Sequence, residues 1–428
     1  MKIGVAGLWH LGVMYAVGMA ELGHEVIAYD PDSHAVSRFK VGELRVFEPG
    51  LREMLTKNTQ SKNLQFTDIE GDLEKVELFI LAYDTPVDEE DNADSDFVIS
   101  EFQRIVKFLG SEVHILVSSQ LPVGSSETIS KILEGHGLEG RVIVQPENLR
   151  LGKAIDSFFD PKRIVAGTID GQPDPIVIQA FENIDAPIIW MHSKSAEVTK
   201  HALNAFLATS VTFMGELAEI CEMVGADAKE VEIGLKSDPR IGVKAYLSPG
   251  LGFAGGTLAR DVRKLSNLQM QVRNEPAIFT SLLTSNRHNN EWISRSLEKI
   301  APQKDALRIC FWGISYTENT DTLRRSEIYE VMKKLMEKNS RVSYVENLAI
   351  RHGIDARIMC IENIEESLKE IEILVVNKKL TKVLNSKVVP ELLKNEDLWI
   401  LDPSRILLEL NLDFAKSSRY LTVGKAIK

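Results

Sequence analysis

Two stretches of the chain hold residues whose types could do chemistry. Residues 250–261 read GLGFAGGTLARD, with four glycines around one hydroxyl, Thr257, followed by Arg260 and Asp261. Glycines at that density free the backbone to approach a ligand closely or to take positive φ. An aliphatic hydroxyl becomes a nucleophile only beside a strong base, and no histidine lies near Thr257 in sequence. Residues 7–12 read GLWHLG, and Asp30 ends the next apolar run. A glycine turn between a strand and a helix, with an acid about 20 residues on, is the dinucleotide-binding pattern, and the acid favours NAD over NADP. Gly7 and Gly12 fit that pattern. Trp9 stands where a glycine would let the backbone approach a pyrophosphate. These residues alone fit equally a Rossmann-like domain without nucleotide, Asp30 then being a turn residue.

The elements that must position these groups follow from periodicity. KIGVAG (2–7), HEVIAYD (24–30), LFILAYD (78–84), VHILVSS (113–119) and RVIVQP (141–146) are short β-rich runs separated by helical stretches, the first helix running over 13–22. That alternation predicts a parallel, doubly wound sheet, continuing to about residue 189. From 193 to 224 there is no proline and one glycine. Leu203, Phe206, Leu207, Phe213, Leu217, Ile220 and Val224 recur at helical spacing, so one long helix is expected, with Cys221 packed on its apolar stripe. After residue 301 the alternation resumes, with strands over 307–313, 341–346, 372–377 and 398–402 and a helix over 326–337. The fold class is α/β, divided as a Rossmann-like domain (1–192), a central helical domain with the long helix and the glycine loop (193–301), and a second Rossmann-like domain (302–428).

A chain of 428 residues is too long for one core. Its formal charge of −12, with no basic block, argues against nucleic acid as a partner, because that affinity comes from neutralised phosphates. The three cysteines, 221, 310 and 360, have no metal-ligand spacing and imply a reducing compartment. No uncharged apolar run has the length to cross a bilayer. A cytoplasmic protein with no membrane partner and no metal is the expectation.

Further motifs occur in order: FEPGL (47–51), TPVDEEDNADSDFV (85–98), LPVGSS (121–126), PENLRLG (146–152), EVTKHALNAFLAT (197–209), SDPRIG (237–242), GFAGGTLARD (252–261) and NTDTLRRS (319–326). In this order and spacing they resemble the UDP-glucose/GDP-mannose dehydrogenase family over almost the whole chain. The resemblance implies an NAD-dependent oxidoreductase acting on a nucleotide sugar, with UDP-sugars as the expected class and a homodimer formed through the long helix. It also implies a role in polysaccharide biosynthesis.

The family's site residues carry over position by position. Lys200 and Asn204 match the lysine and asparagine that hold the reacting hydroxyl and stabilise its developing charge; their i, i+4 spacing puts them on one helical face. Asp261 matches the aspartate that orders water and the lysine, and Glu147 a proposed acid/base. Thr257 stands where the family has the cysteine that holds the sugar aldehyde as a covalent adduct. Gly7, Trp9, His10, Leu11, Gly12, Asp30, Thr85, Pro86 and Gln120 fall at cofactor positions, Gln120 replacing a threonine. Asn148, Leu149, Arg150, Arg240, Phe253, Gly255 and Arg324 fall at nucleotide-sugar positions. Leu151, Arg260 and Thr317 replace a glutamate, a lysine and a ligand-binding lysine. Loss of the thiol implies a single two-electron oxidation, or its reverse. A non-catalytic nucleotide-sugar-binding homologue is the competing reading.

Overall fold

The computed structural model describes residues 1–86, 94–146, 149, 152–254, 256–273, 275–302, 306–316, 323, 326–350, 353–362, 370–384, 395–410 and 419–426. Its residues gather into two compact units, Met1–Ala202 and Leu203–Lys428, divided within the long helix.

The first unit is an eight-stranded sheet: β1 (Lys2–Ala6), β2 (Glu25–Tyr29), β3 (Leu64–Thr67), β4 (Leu78–Leu81), β5 (His114–Val117), β6 (Val142–Val144), β7 (Ile164–Thr168) and β8 (Ile188–His192). The spatial order is β3-β2-β1-β4-β5-β6-β7-β8. Chain direction through the sheet reverses between β1 and β4, and such a switch point opens a ligand crevice at the strands' carboxyl ends. That is where the glycine turn 7–12 and Thr85 lie. The central strands are buried on both faces, which is why they read as continuous apolar runs rather than alternating ones. The helix His10–Glu21 buries every residue from Leu11 to Ala20, so it is apolar all round rather than amphipathic.

All pairings in this sheet are parallel except β6 with β7, which meet antiparallel through Val144 and Gly167. The expected parallel pattern breaks at this pairing, between strands joined through the helix Ala154–Phe159.

The second unit holds the rest of the helix Ser193–Val224, which has the bounds expected from its periodicity. Its sheet comprises β9 (Arg308–Trp312), β10 (Arg341–Val345), β11 (Met359–Cys360), β12 (Ile373–Val376), β13 (Trp399–Leu401) and β14 (Tyr420–Leu421), all parallel, in the order β11-β10-β9-β12-β13-β14. Ala218 and Cys221 of the long helix pack into the core beneath this sheet with Trp292, Ile309 and Phe311. A smaller core joins Ala205 and Ala208 to Phe253, Ala259, Val262 and Leu282. Small residues on the long helix let the glycine-loop segment pack closely against it. Cys221, Cys310 and Cys360 are free thiols.

Candidate active site

In the first unit the turn after β1 is built for close approach. Gly7 has φ +92°, and a Cβ there would lie 2.6 Å from the Tyr83 backbone; a Cβ on Gly12 would lie 1.9 Å from the Gly7 carbonyl oxygen. Both positions demand glycine. Trp9 sits between them at φ −93°, a conformation open to any residue, and its half-exposed ring stacks under Arg45, 5.7 Å from the guanidinium carbon. Substitution of the middle glycine is therefore accommodated by turning the ring outward. Asp30, 6% exposed, accepts hydrogen bonds from the backbone N–H of Leu8 (2.9 Å) and of Asp32 (3.0 Å), tying the end of β2 to the turn. Its outer neighbour is Arg45, whose Nη1 lies 3.9 Å away. Strand, obligatory glycines, buried acid and helix N-terminus together fit a dinucleotide.

His10, inside the turn, shares a hydrogen bond of 3.0 Å with the buried carboxylate of Glu48. Glu48 also accepts from the backbone N–H of Gly152 and of Ala154, each at 2.8 Å. Burial pushes the Glu48 carboxyl up, but the His10 bond and the two backbone donors outweigh it and hold it below the ordinary carboxylate value. FEPGL is thus a clamp linking the glycine turn to the segment after PENLRLG. A second clamp is Glu197, which accepts from the N–H groups of Gly124 (2.6 Å) and Ser126 (2.9 Å) at the start of the helix Ser125–Gly135. It brings LPVGSS against EVTKHALN. The pocket beside it has about 30 Å³ of room and is lined by Ser119, Gln120, Pro146, Glu197, Lys200 and His201. Thr85 donates to the Gln120 carbonyl at 2.8 Å, and the Pro86 carbonyl accepts from Asp94 N–H at 2.8 Å. Gln120 therefore meets Thr85 through its carbonyl and lines this pocket with Lys200. Leu149 packs partly against the core of this unit.

In the second unit Asp261 is fully buried and accepts a short hydrogen bond, 2.5 Å, from the Asn204 side chain. Thr257 opens the helix Thr257–Arg273, one turn before Asp261, and is exposed. The glycine loop is fixed by two asparagines. Asn286 accepts from Phe253 N–H at 2.7 Å and donates to its carbonyl at 2.8 Å, and Asn290 donates to the same carbonyl at 3.1 Å. Phe253 is only 6% exposed. Its ring packs in the core beside the long helix and its backbone makes these bonds, so it anchors the loop. Arg240 is exposed and forks onto Asp238, with Nη2 to Oδ2 at 2.7 Å. After β10, Glu346 accepts from the N–H groups of Ile314 (2.8 Å) and Ser315 (3.0 Å), the device Asp30 uses after β2. Glu147, Asn148, Arg150, Leu151, Gly255, Thr317 and Arg324 lie outside the described residues.

Three segments of the chain match one family in order. Residues 1–185 match the UDP-glucose/GDP-mannose dehydrogenase family NAD binding domain, 194–288 its central domain and 310–408 its UDP binding domain. The chain belongs to this family. It is 30% identical over 377 residues to UDP-glucose 6-dehydrogenase YwqF of Bacillus subtilis, covering 86% of this chain and 85% of that one. Its structure resembles that of a UDP-glucose dehydrogenase from the hyperthermophilic archaeon Pyrobaculum islandicum at TM-score 0.84 and 26% identity, covering 94% and 93% of the two chains. It also shares its fold with a UDP-D-ManNAc dehydrogenase from Pyrococcus horikoshii, at TM-score 0.81 and 18% identity over the full length of both chains.

Membership makes residues 1–185 an NAD binding domain and NAD the cofactor. The glycine turn and Asp30 are the residues that would hold it. Sequence reasoning missed four polar residues in or near these segments: Glu48, Glu197, Arg45 and Lys264. Glu48 and Glu197 sit inside motifs, but their backbone partners are more than 70 residues away, and only the fold brings them together. Arg45 lies outside the motifs. Lys264 was readable only as the next polar position on the face of Thr257 and Asp261. Among the described residues no helix is long and apolar enough to cross a membrane.

Proposed function

We propose that this protein oxidises the sugar of a UDP-sugar with NAD, and that turnover stops after one two-electron step or runs as the reverse reduction. NAD when bound accepts the hydride; the chain's own residues handle the oxygen and its proton. Lys200 and Asn204, four residues apart on one helix, steady the oxygen as it gains negative charge. Asp261 orders them. Glu147 is the family's acid/base position for later steps. Asn148, Leu149, Arg150, Arg240, Gly255 and Arg324 are the substrate-side positions, with Phe253 holding their loop.

The observation that carries this reading is the buried Asn204–Asp261 pair beside an exposed Thr257. A carboxylate with no solvent exposure is costly to keep and is retained here with its amide partner. That favours a dehydrogenase over a non-catalytic binder. The group absent is the thiol, and a threonine hydroxyl has neither its low pKa nor its freedom to rotate. The test is NADH formed per UDP-sugar consumed, with the product trapped by a carbonyl reagent. A ratio near one is expected, moving toward two in Thr257→Cys. A ratio near two in the wild type with a uronic acid product would refute the single-oxidation reading.

The same family membership and the long helix support a homodimer. Phe206, Phe213 and Ile220 are all exposed and recur every seven residues along the helix. An apolar seam with that period suits pairing of two helices.

A further inference from the structure

One ionisable group stands beside the Asn204–Asp261 pair without a task. Lys264 lies one turn after Asp261 and two turns after Thr257 on the helix Thr257–Arg273, so the three share a face. A helical side chain leans toward the helix N-terminus, which directs the lysine stem back toward Asp261. Its Nζ is buried and has no hydrogen-bond partner among the described residues. It is within electrostatic reach of Asp261 and Arg260. Burial is the larger influence, followed by the opposing pull of Asp261 and the push of Arg260, and together they bring the ammonium down to about 8.

On the helix itself the other charges are Arg263 and Arg273. The helix packed on it, Ile278–Asn290, has Arg287 and His288 as its ionisable residues, both in its last turn, and His288 pairs with Glu219. On the long helix within this unit, Glu219 also meets Arg295 and Glu222 meets Trp292; Glu216 is the remaining charge. Among the described residues, Asp261 and Arg260 are the charges that act on the Lys264 ammonium.

We propose that Lys264 is the proton reservoir behind Asp261 during alcohol oxidation. The inference rests on the dehydrogenase reading above. Oxidising an alcohol releases a hydride, which NAD takes, and the hydroxyl proton. The O–H bond breaks, the proton crosses the Asp261 carboxylate, and an N–H bond forms on the neutral Lys264 amine. Held on Asp261, the proton would leave a buried neutral acid. Held on Lys264, it leaves a carboxylate facing an ammonium, which is the better-matched pair in a dry site. Lys264 touches neither substrate nor cofactor in this scheme; it acts through Asp261 as a positioning residue.

The test pairs Lys264→Met, which keeps the stem, with Lys264→Arg, which keeps a charge that cannot be given up. The wild-type kcat for UDP-sugar oxidation rises with pH and levels off above about 8, because the neutral amine is the acceptor. Both variants lose that inflection and fall roughly tenfold to a hundredfold at pH 9, in the range for a lost proton acceptor. Rescue by Lys264→Arg with the inflection intact would overturn the proposal, since a purely structural charge predicts that result. A second readout needs no turnover. In protein labelled with 13C at lysine Cε, the resonance missing from Lys264→Met titrates near pH 8, whereas a midpoint above 10 overturns the proposal. Wild-type turnover with pH profiles unmoved in both variants defeats this inference alone. No NADH from the wild type with any UDP-sugar defeats the dehydrogenase reading and this inference with it.

Discussion

Replacing Glu48 by glutamine tests whether its buried carboxylate is what joins the cofactor turn to the segment after PENLRLG. The carboxylate has three partners, His10 at 3.0 Å and the N–H groups of Gly152 and Ala154 at 2.8 Å each, and is 2% exposed. Glutamine has nearly the same volume, so no cavity forms. Its single carbonyl oxygen can serve one backbone N–H, but its NH₂ then faces the other, donor against donor. One buried backbone donor is left unpaired, at about 1–3 kcal/mol, and the remaining bond loses its charge assistance, about 1 kcal/mol more. The expected loss is about 2–4 kcal/mol at pH 7, or roughly 5–12 °C in the transition of a unit of this size. The sign of the pH dependence follows from the lowered carboxyl value. A depressed acid contributes stability that is fully present above its unfolded value, about 4.3, and is lost as pH falls through the folded one. The gap between wild type and variant is therefore widest at neutral pH and narrows by pH 3. Calorimetry on the full chain at both pH values measures it, with the KM for NAD, expected to rise as His10 loses its anchor, as the functional readout. A neutral-pH difference under about 0.5 kcal/mol, or one that persists undiminished at pH 3, refutes the reasoning.

Three further outcomes are expected. Asp30→Ala weakens NAD relative to NADP in calorimetric titrations and also loosens the turn, since the Leu8 N–H loses its acceptor; equal wild-type affinity for the two dinucleotides would remove Asp30 from its role. Phe213→Glu on the exposed seam of the long helix converts a dimer to a 47.9 kDa monomer in light scattering, and a wild type that is already monomeric at all concentrations refutes the seam. Lys264→Met stabilises the protein at pH 7 by about 3 kcal/mol, the free-energy equivalent of a lysine brought from 10.5 to about 8 by burial; the gain is full below pH 8, closes by about 10.5, and its absence in denaturation at pH 7 contradicts a buried ammonium.

The sequence showed elements whose pattern is local and hid the contacts that close over distance. Parallel strands buried on both faces, such as Leu78–Leu81 and Ile373–Val376, are short apolar runs and legible at once. The helix Ser193–Val224 was legible because nothing in it interrupts the 3.6-residue period. The strands Leu64–Thr67 and Ile188–His192 were not. The first alternates within a polar stretch, and the second runs directly into the long helix with no turn residue to mark its end. Site residues divide the same way. Gly7 and Gly12 announce themselves because sterics leave no alternative. Glu48 and Glu197 do not, because a carboxylate that caps backbone N–H groups from another part of the chain looks like any surface acid until the fold is known. The burial of Phe253 was hidden by a related ambiguity: an aromatic beside glycines reads equally as a ligand face or as an anchor.

The changed positions have a common physical character. Trp9 replaces a glycine where the backbone does not need one, and Arg45 covers its ring, so the turn retains the two glycines that sterics require. On the reading proposed above, Thr257 stands at a helix start where a nucleophile would act, whereas one turn on Asp261 is buried and bonded to Asn204. Thr257 is exposed, so a change there costs little in folding. Beside it stand groups whose burial is unfavourable unless they are used: a carboxylate at 0% exposure and, one turn further, a lysine amine with no hydrogen-bond partner among the described residues. A protein that only bound a nucleotide sugar would gain stability by replacing Lys264 with methionine and lose nothing. A buried lysine beside Asp261 is what the proposed transfer of the sugar hydroxyl proton requires, and binding alone gives it no use.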